Sequence, residues 1–169
     1  GYYYVTYKKG DTILNTAPTD AGTYTASITF TGADNKTVTA SVTYEIAKAT
    51  PTADNFNFTV LPYNLTYDGN VKTVEVEAKS GINGMGDVTV KYYQGDTVVQ
   101  EPTNAGNYTV KIDVAEGTNY KAVNDLTDSN WQFTIAAITT APTVELNGDM
   151  TYTGQQIKPD VTVKVNDVT

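Results

Sequence analysis

The chain has 169 residues, a formal net charge of −8 and a sequence pI near 4.3; it contains no His and no Cys, and all eleven cationic residues are Lys. This composition excludes zinc sites built on His or Cys, thiol nucleophiles and Ser-His-Asp triads, so neither an enzyme of those classes nor a cofactor is expected. The acidic balance also argues against nucleic acid and anionic lipid as partners, since both need a basic surface. In chain order, the first residues alternate with period two: Tyr3, Val5 and Tyr7 share one face of a strand and Tyr2 and Tyr4 the other. "GTYTASITF" from Gly22 places Tyr24, Ala26, Ile28 and Phe30 inward and Thr25, Ser27 and Thr29 outward. "TVTASVTYEI" from Thr37 turns Val38, Val42, Tyr44 and Ile46 inward in the same way. Farther on, Glu75 and Glu77 fall on one exposed strand face, Val88, Val90 and Tyr92 point inward with Tyr93 outward, and Tyr108, Val110 and Ile112 point inward. Asn119 to Trp131 is rich in Asn and Asp and predicts a loop. Val161, Val163 and Val165 close the series as one more strand. Thr dominates the outer faces, where its β-branch suits a pleated surface. The reading is all-β.

An internal repeat organises these strands. "APTDAGTYTASI" from Ala17 returns as "EPTNAGNYTVKI" from Glu101, with Pro18 and Pro102 separated by 84 residues. "YEIAKATPT" from Tyr44 returns as "FTIAAITTAPT" from Phe133, and "LTYDGNVKTVEVE" from Leu65 returns as "MTYTGQQIKPDVTVK" from Met150. Three repeats are therefore expected: a partial one over 1–51, a complete one over 52–138 and a second partial one over 139–169. The complete copy, at about 85 residues, suits a small sandwich domain.

The repeated phrase has a physical reading. In "PTDAGTY" and "PTNAGNY" a turn residue and an Ala-Gly pair precede a Tyr that opens an inward-alternating strand. This resembles the tyrosine corner of immunoglobulin-like sandwiches, in which a Tyr hydroxyl bonds back across the turn. Tyr24 and Tyr108 would hold that role, Asp20 and Asn104 would cap the turn, and Gly22 and Gly106 would permit positive φ or close backbone approach. The expected fold is a set of tandem immunoglobulin-like β-sandwich repeats.

"LTYDG", the two corner phrases, the "YxxGDT" segment before them and the closing "YEI" or "FTI" resemble the MBG and YDG-type repeats of bacterial cell-surface proteins and adhesins. That resemblance implies an extracellular, often wall-anchored stalk without catalytic residues. Its alternative is an adhesive module for host mucin, glycan or protein. No apolar run approaches the roughly 20 residues that span a bilayer, and Gly-Tyr-Tyr-Tyr is unlike a signal peptide, so an excerpt of a mature protein without membrane insertion is expected.

Among site candidates, the single Trp131 aligns with Val42 on the inward face and is expected in the core. Tyr2, Tyr4 and Tyr93 face outward and are the better candidates for stacking on a sugar, against the plainer reading of cross-strand packing. Asp113, Glu116, Asp125 and Asp128 carry oxygen ligands that Ca²⁺ accepts, but no calcium-loop spacing holds them, so a solvated acidic surface is expected and no metal. Asn-x-Thr sequons occur at Asn35, Asn57, Asn64 and Asn107, as expected of a chain rich in both residues. The first partial repeat begins at what should be its third strand and the last stops after its second. Self-association is therefore expected, with the segment from about Thr143 supplying strands to the first repeat of another copy or of the same one.

Overall fold

The computed structural model describes residues 1–61 and 64–165. Regular structure is almost wholly strand; among the described residues there is no α-helix and one 3-10 turn, Ala53–Asn55. The strands are β1 (Tyr2–Lys9), β2 (Thr12–Leu14), β3 (Gly22–Thr31), β4 (Thr37–Ile46), β5 (Phe56–Leu61), β6 (Thr73–Ala78), β7 (Val88–Gln94), β8 (Thr97–Val99), β9 (Gly106–Val114), β10 (Val123–Leu126), β11 (Gln132–Ile135), β12 (Thr143–Leu146) and β13 (Val161–Lys164). One sheet has the order β2-β1-β3-β4; a second has β10-β9-β7-β8 with β11 also on β9; β5-β6 and β12-β13 are two-stranded. The chain divides into two compact units, Gly1–Asn57 with Val76–Val90 and Ile112–Asp128, and Phe58–Glu75 with Lys91–Lys111 and Ser129–Thr169.

In the first unit, antiparallel register brings Tyr24 opposite Tyr44, Ala26 opposite Val42 and Tyr7, and Phe30 opposite Val38 and Tyr3, so the apolar residues of three strands share one face. On the reverse face the hydroxyl pairs Thr25–Thr43, Ser27–Ser41 and Thr29–Thr39 bond at 3.2, 2.8 and 3.0 Å. Cross-strand hydroxyl pairs of this kind stabilise an antiparallel sheet, and they explain why Thr and Ser occupy every second position here.

The apolar face is where expectation and structure part. Tyr24 is 3% exposed, yet Tyr3, Val5, Ile28, Phe30, Val38 and Val42 are 68, 44, 43, 46, 67 and 62% exposed. Alternation decides which residues share a face; whether a second layer covers that face is a separate matter. A second correction concerns the loop expected from Asn119 to Trp131, which contains β10. Val123 pairs with Val114 and Leu126 with Ile112 across a register shift. The Asp113 carboxylate accepts the Asp125 N–H at 2.8 Å, and Asp125 takes φ 56, so a left-handed Asp sits inside a strand that main-chain pairing still recruits.

In the second unit two layers meet, consistent with a β-sandwich. Phe58 of β5 stacks on Trp131 with ring centroids 5.9 Å apart, and the Val74 N–H of β6 donates to the Tyr92 hydroxyl of β7 at 3.0 Å. Phe133 receives the stacked ring of Tyr108 at 5.3 Å and the edge of Tyr92 at 6.2 Å. Trp131, Phe133 and Tyr108 are 5, 6 and 2% exposed, so Trp131 belongs to the core. Burial of this order is worth about 1.5–3 kcal/mol for each large apolar side chain.

One charge lies inside this unit. The Lys72 side chain is 1% exposed and its ammonium contacts Asp68 at 2.7 Å, while its backbone N–H donates to the carbonyl of the buried Pro102. The Lys72 ammonium, aided by the Asn70 N–H, holds the Asp68 carboxyl below the usual carboxylate range. A carboxyl whose pKa is lowered by folding contributes stability that is complete above its unfolded value, about 3.9, and is lost as pH falls through the folded one. Asp68→Asn is expected to lower the melting temperature at pH 7, because it leaves a buried ammonium without its carboxylate. The gap to the wild type should close as pH falls from the unfolded carboxyl value, about 3.9, through the lowered folded one. Thermal melts followed by the emission of the single Trp131 measure this; a gap independent of pH would assign the loss to packing.

Candidate functional site at a repeat junction

Two turns repeat the corner geometry. The Tyr24 hydroxyl donates to the Asp20 carbonyl at 2.9 Å and the Tyr108 hydroxyl to the Asn104 carbonyl at 2.7 Å, each reaching four residues upstream. The glycine that opens each strand, Gly22 or Gly106, has φ 151, a region that L side chains rarely enter. A Cβ at Gly106 would also lie 2.2 Å from the Gln94 amide nitrogen.

In the first unit the Asp20 turn does more than close on itself. The Asn119 side chain accepts the Ala21 N–H at 2.8 Å and donates to the Asp20 carboxylate at 2.9 Å and to the Asn83 carbonyl at 3.2 Å. Its backbone is engaged as well: the carbonyl accepts the Ala49 N–H at 2.9 Å, and the N–H donates to Gly84 at 3.0 Å. Ala49 completes a parallel bridge with Tyr120 by accepting the Lys121 N–H at 2.9 Å. Thus one asparagine holds both the Asp20 turn and the segment at Ala49. Gly117 makes the crowding tolerable, since a Cβ there would fall 2.2 Å from the Gly84 carbonyl oxygen. Lys48 pairs with Glu116 at the same place and holds the Glu116 carboxyl below its ordinary range.

A shallow cleft of about 330 Å³ lies here, lined by residues that include Thr19, Asp20, Ile46, Ala47, Asn83 and Tyr120. Its central polar groups, on Asp20 and Asn119, already bond one another. The arrangement is that of a joint with satisfied donors and acceptors.

The remaining candidates are placed as follows. Tyr2 and Tyr4 lie on one face of β1 and are 65 and 51% exposed. Tyr93, on β7 of the other unit, is half-buried beneath Lys111, whose ammonium sits 4.7 Å from the ring centroid. Glu75 and Glu77 are exposed on β6, alternating with the buried Val74 and Val76. Of the acidic residues, Asp113 holds Asp125 and Glu116 holds Lys48. Among the described residues no group of three or more His, Cys, Asp or Glu is placed to hold a metal ion, and no helix is long and apolar enough to cross a membrane.

Sequence reasoning missed Asn119, Lys48 and the Lys72–Asp68 pair. Lys72 had a legible signal, because it shares strand parity with Val74 and Val76 and so belongs to the inward set. Asn119 had none, since it stands in an aperiodic Gly-Thr-Asn-Tyr loop.

Asn119→Ala removes three side-chain hydrogen bonds and is expected to raise the exchange rates of the Ala21 and Ala49 amides by at least tenfold, with the Val110 amide unchanged. Hydrogen exchange by NMR checks this; the bond to Ala21 is part-buried and those to Asp20 and Asn83 are exposed, so each contributes the ordinary net worth of about 0.5–1.5 kcal/mol. Comparison of the chain with family models, curated proteins and solved structures found no match.

Proposed function

We propose that the chain is a non-catalytic run of tandem immunoglobulin-like repeats from a bacterial cell-surface protein, acting as an extracellular stalk that presents other domains. The Asn119 joint carries this reading. A spacer holds its length only if successive modules are fixed to one another, and here the turn and exit segment of one repeat are bonded to two loops of the next. The outward Thr and Ser ladders support it, because they stabilise a sheet without forming a recognition pocket. So does the repeated phrase itself, which resembles the surface-protein repeats named above.

The adhesive reading has one observation in its favour, the exposure of Tyr2 and Tyr4 two residues apart on the same strand face. Aromatic side chains so placed suit a sugar ring. The two readings separate in one experiment: the purified chain is applied to an array of host and plant glycans and mucin, beside a variant with Tyr2, Tyr4 and Tyr93 changed to Ala. A stalk leaves both proteins silent. Signal from the wild type that the variant loses would make the protein an adhesin and locate its site.

A further inference from the structure

The loop that receives Asn119 carries a reactive dipeptide. Asn followed by Gly occurs twice in the chain, at Asn83-Gly84 and at Asn147-Gly148. The main-chain nitrogen after an asparagine closes on the side-chain carbonyl carbon when nothing obstructs it, and glycine obstructs least because it brings no Cβ to the approach. At position 84 the fold itself requires that glycine. Gly84 has φ 76, in the left-handed region, and a Cβ there would lie 2.7 Å from the Asn119 amide nitrogen and 3.0 Å from the Asn119 Cβ. The Gly84 carbonyl accepts the Asn119 N–H at 3.0 Å, and the Asn83 carbonyl accepts the Asn119 side-chain amide at 3.2 Å. The close seat of Asn119 thus gives Asn83 the neighbour that leaves its side chain most open to attack.

The reacting groups are loosely held. Asn83 is exposed, and its side-chain amide makes a long contact of 3.4 Å to the Gly81 carbonyl. Among the described residues the Gly84 N–H has no acceptor. Asn147 is tied more firmly: its side-chain oxygen accepts the Thr162 hydroxyl at 3.0 Å and its N–H donates to the Asp160 carbonyl at 2.9 Å. Those partners belong to its own hairpin, so a change at Asn147 leaves Asn119 untouched.

We propose that Asn83 is a self-modification site: ring closure with Gly84 and hydrolysis convert it to isoaspartate, and this releases the Asp20 turn from Asn119. The Gly84 nitrogen gives its proton to base and bonds to the Asn83 Cγ, while the Cγ–Nδ2 bond breaks and ammonia leaves. Water then opens the resulting succinimide at either carbonyl. Opening at the main-chain carbonyl gives isoaspartate, in which the chain runs through Cβ and Cγ and the former Asn83 carbonyl has become a carboxylate. That group faces the Asn119 amide, which also donates to the Asp20 carboxylate at 2.9 Å. Two anions then compete for one amide and repel each other. The path from Asn83 to Gly84 also gains one backbone bond, about 1.5 Å. Both changes act on the pair of carbonyls that seat Asn119, and so on its bond to the Ala21 N–H.

The test uses the whole chain carrying Asn147→Gln, which leaves Asn83 as the single asparagine followed by glycine, and the same chain with Asn83→Gln added. Glutamine would need a six-membered ring and serves as the unreactive control. Both chains are aged in heavy-oxygen water at mildly alkaline pH, digested, and read by mass spectrometry for isoaspartate carrying heavy oxygen at residue 83. Anion exchange separates the converted fraction of the intact protein, because conversion adds one negative charge. The expected result is isoaspartate at residue 83, none in the control, and an Ala21 amide that exchanges roughly tenfold or more faster in the converted fraction, with Val110 unchanged. Residue 83 that remains Asn long after a free peptide of residues 79–87 has converted completely overturns the proposal. A product that is aspartate alone overturns it too, as does a converted fraction whose Ala21 amide exchanges as slowly as before ageing. Far-UV circular dichroism and Trp131 emission establish that both chains are folded at the start.

Discussion

Phe58 lies flat on Trp131, and much of what distinguishes the middle repeat from its neighbours in the chain follows from the layer that makes this contact. A strand with one apolar face lowers its free energy only when something non-aqueous lies against that face. With β5 and β6 in place, the residues around Trp131 and Phe133 close into a core whose rings meet at 5–6 Å. On β1, β3 and β4 the strands are equally well registered, yet Tyr3, Val5, Val38 and Val42 face water. The first sheet keeps its order through main-chain pairing and its Thr and Ser ladders, and the buried corner at Tyr24 anchors one end of it.

That corner is also tied to segments distant in the chain. Tyr24 fixes the Asp20 carbonyl, which orients the Asp20 carboxylate and the Ala21 N–H toward the Asn119 amide. A residue that shapes this turn therefore also sets its bonds to Asn119. The Tyr108 turn in the middle repeat has the same internal bond, with Asn104 in place of Asp20. The bonds around Asn119 are polar where the core around Phe133 is apolar.

Much of the fold was legible because it rests on period two. The inward positions of Tyr108, Val110, Ile112 and Trp131 follow from alternation, and the structure buries all four. The all-β class follows from the same pattern with Thr on the outer faces. Val38 and Val42 show where this reasoning stops: their parity is that of core residues, yet they stand in water. Strand β10 shows a second limit, because pairing with the edge of β9 outweighed the turn preference of its Asn and Asp. Lys72 shows a third, since inward parity was assigned to the valines beside it and not extended to a charge.

Local sequence determined the strand pattern and the two tyrosine turns, because each depends on residues within about ten positions of one another, and the repeat was legible as the same local phrase spelled twice 84 residues apart. Tertiary structure alone decided which faces are covered, that Lys72 is buried against Asp68, and that Asn119 joins the Asp20 turn to Ala49. The reason is physical: backbone alternation orients a side chain, but its burial and its hydrogen-bond partners are set by segments distant in the chain. Asn119 and Asp20 lie 99 residues apart, and nothing in the local pattern of either implies the other.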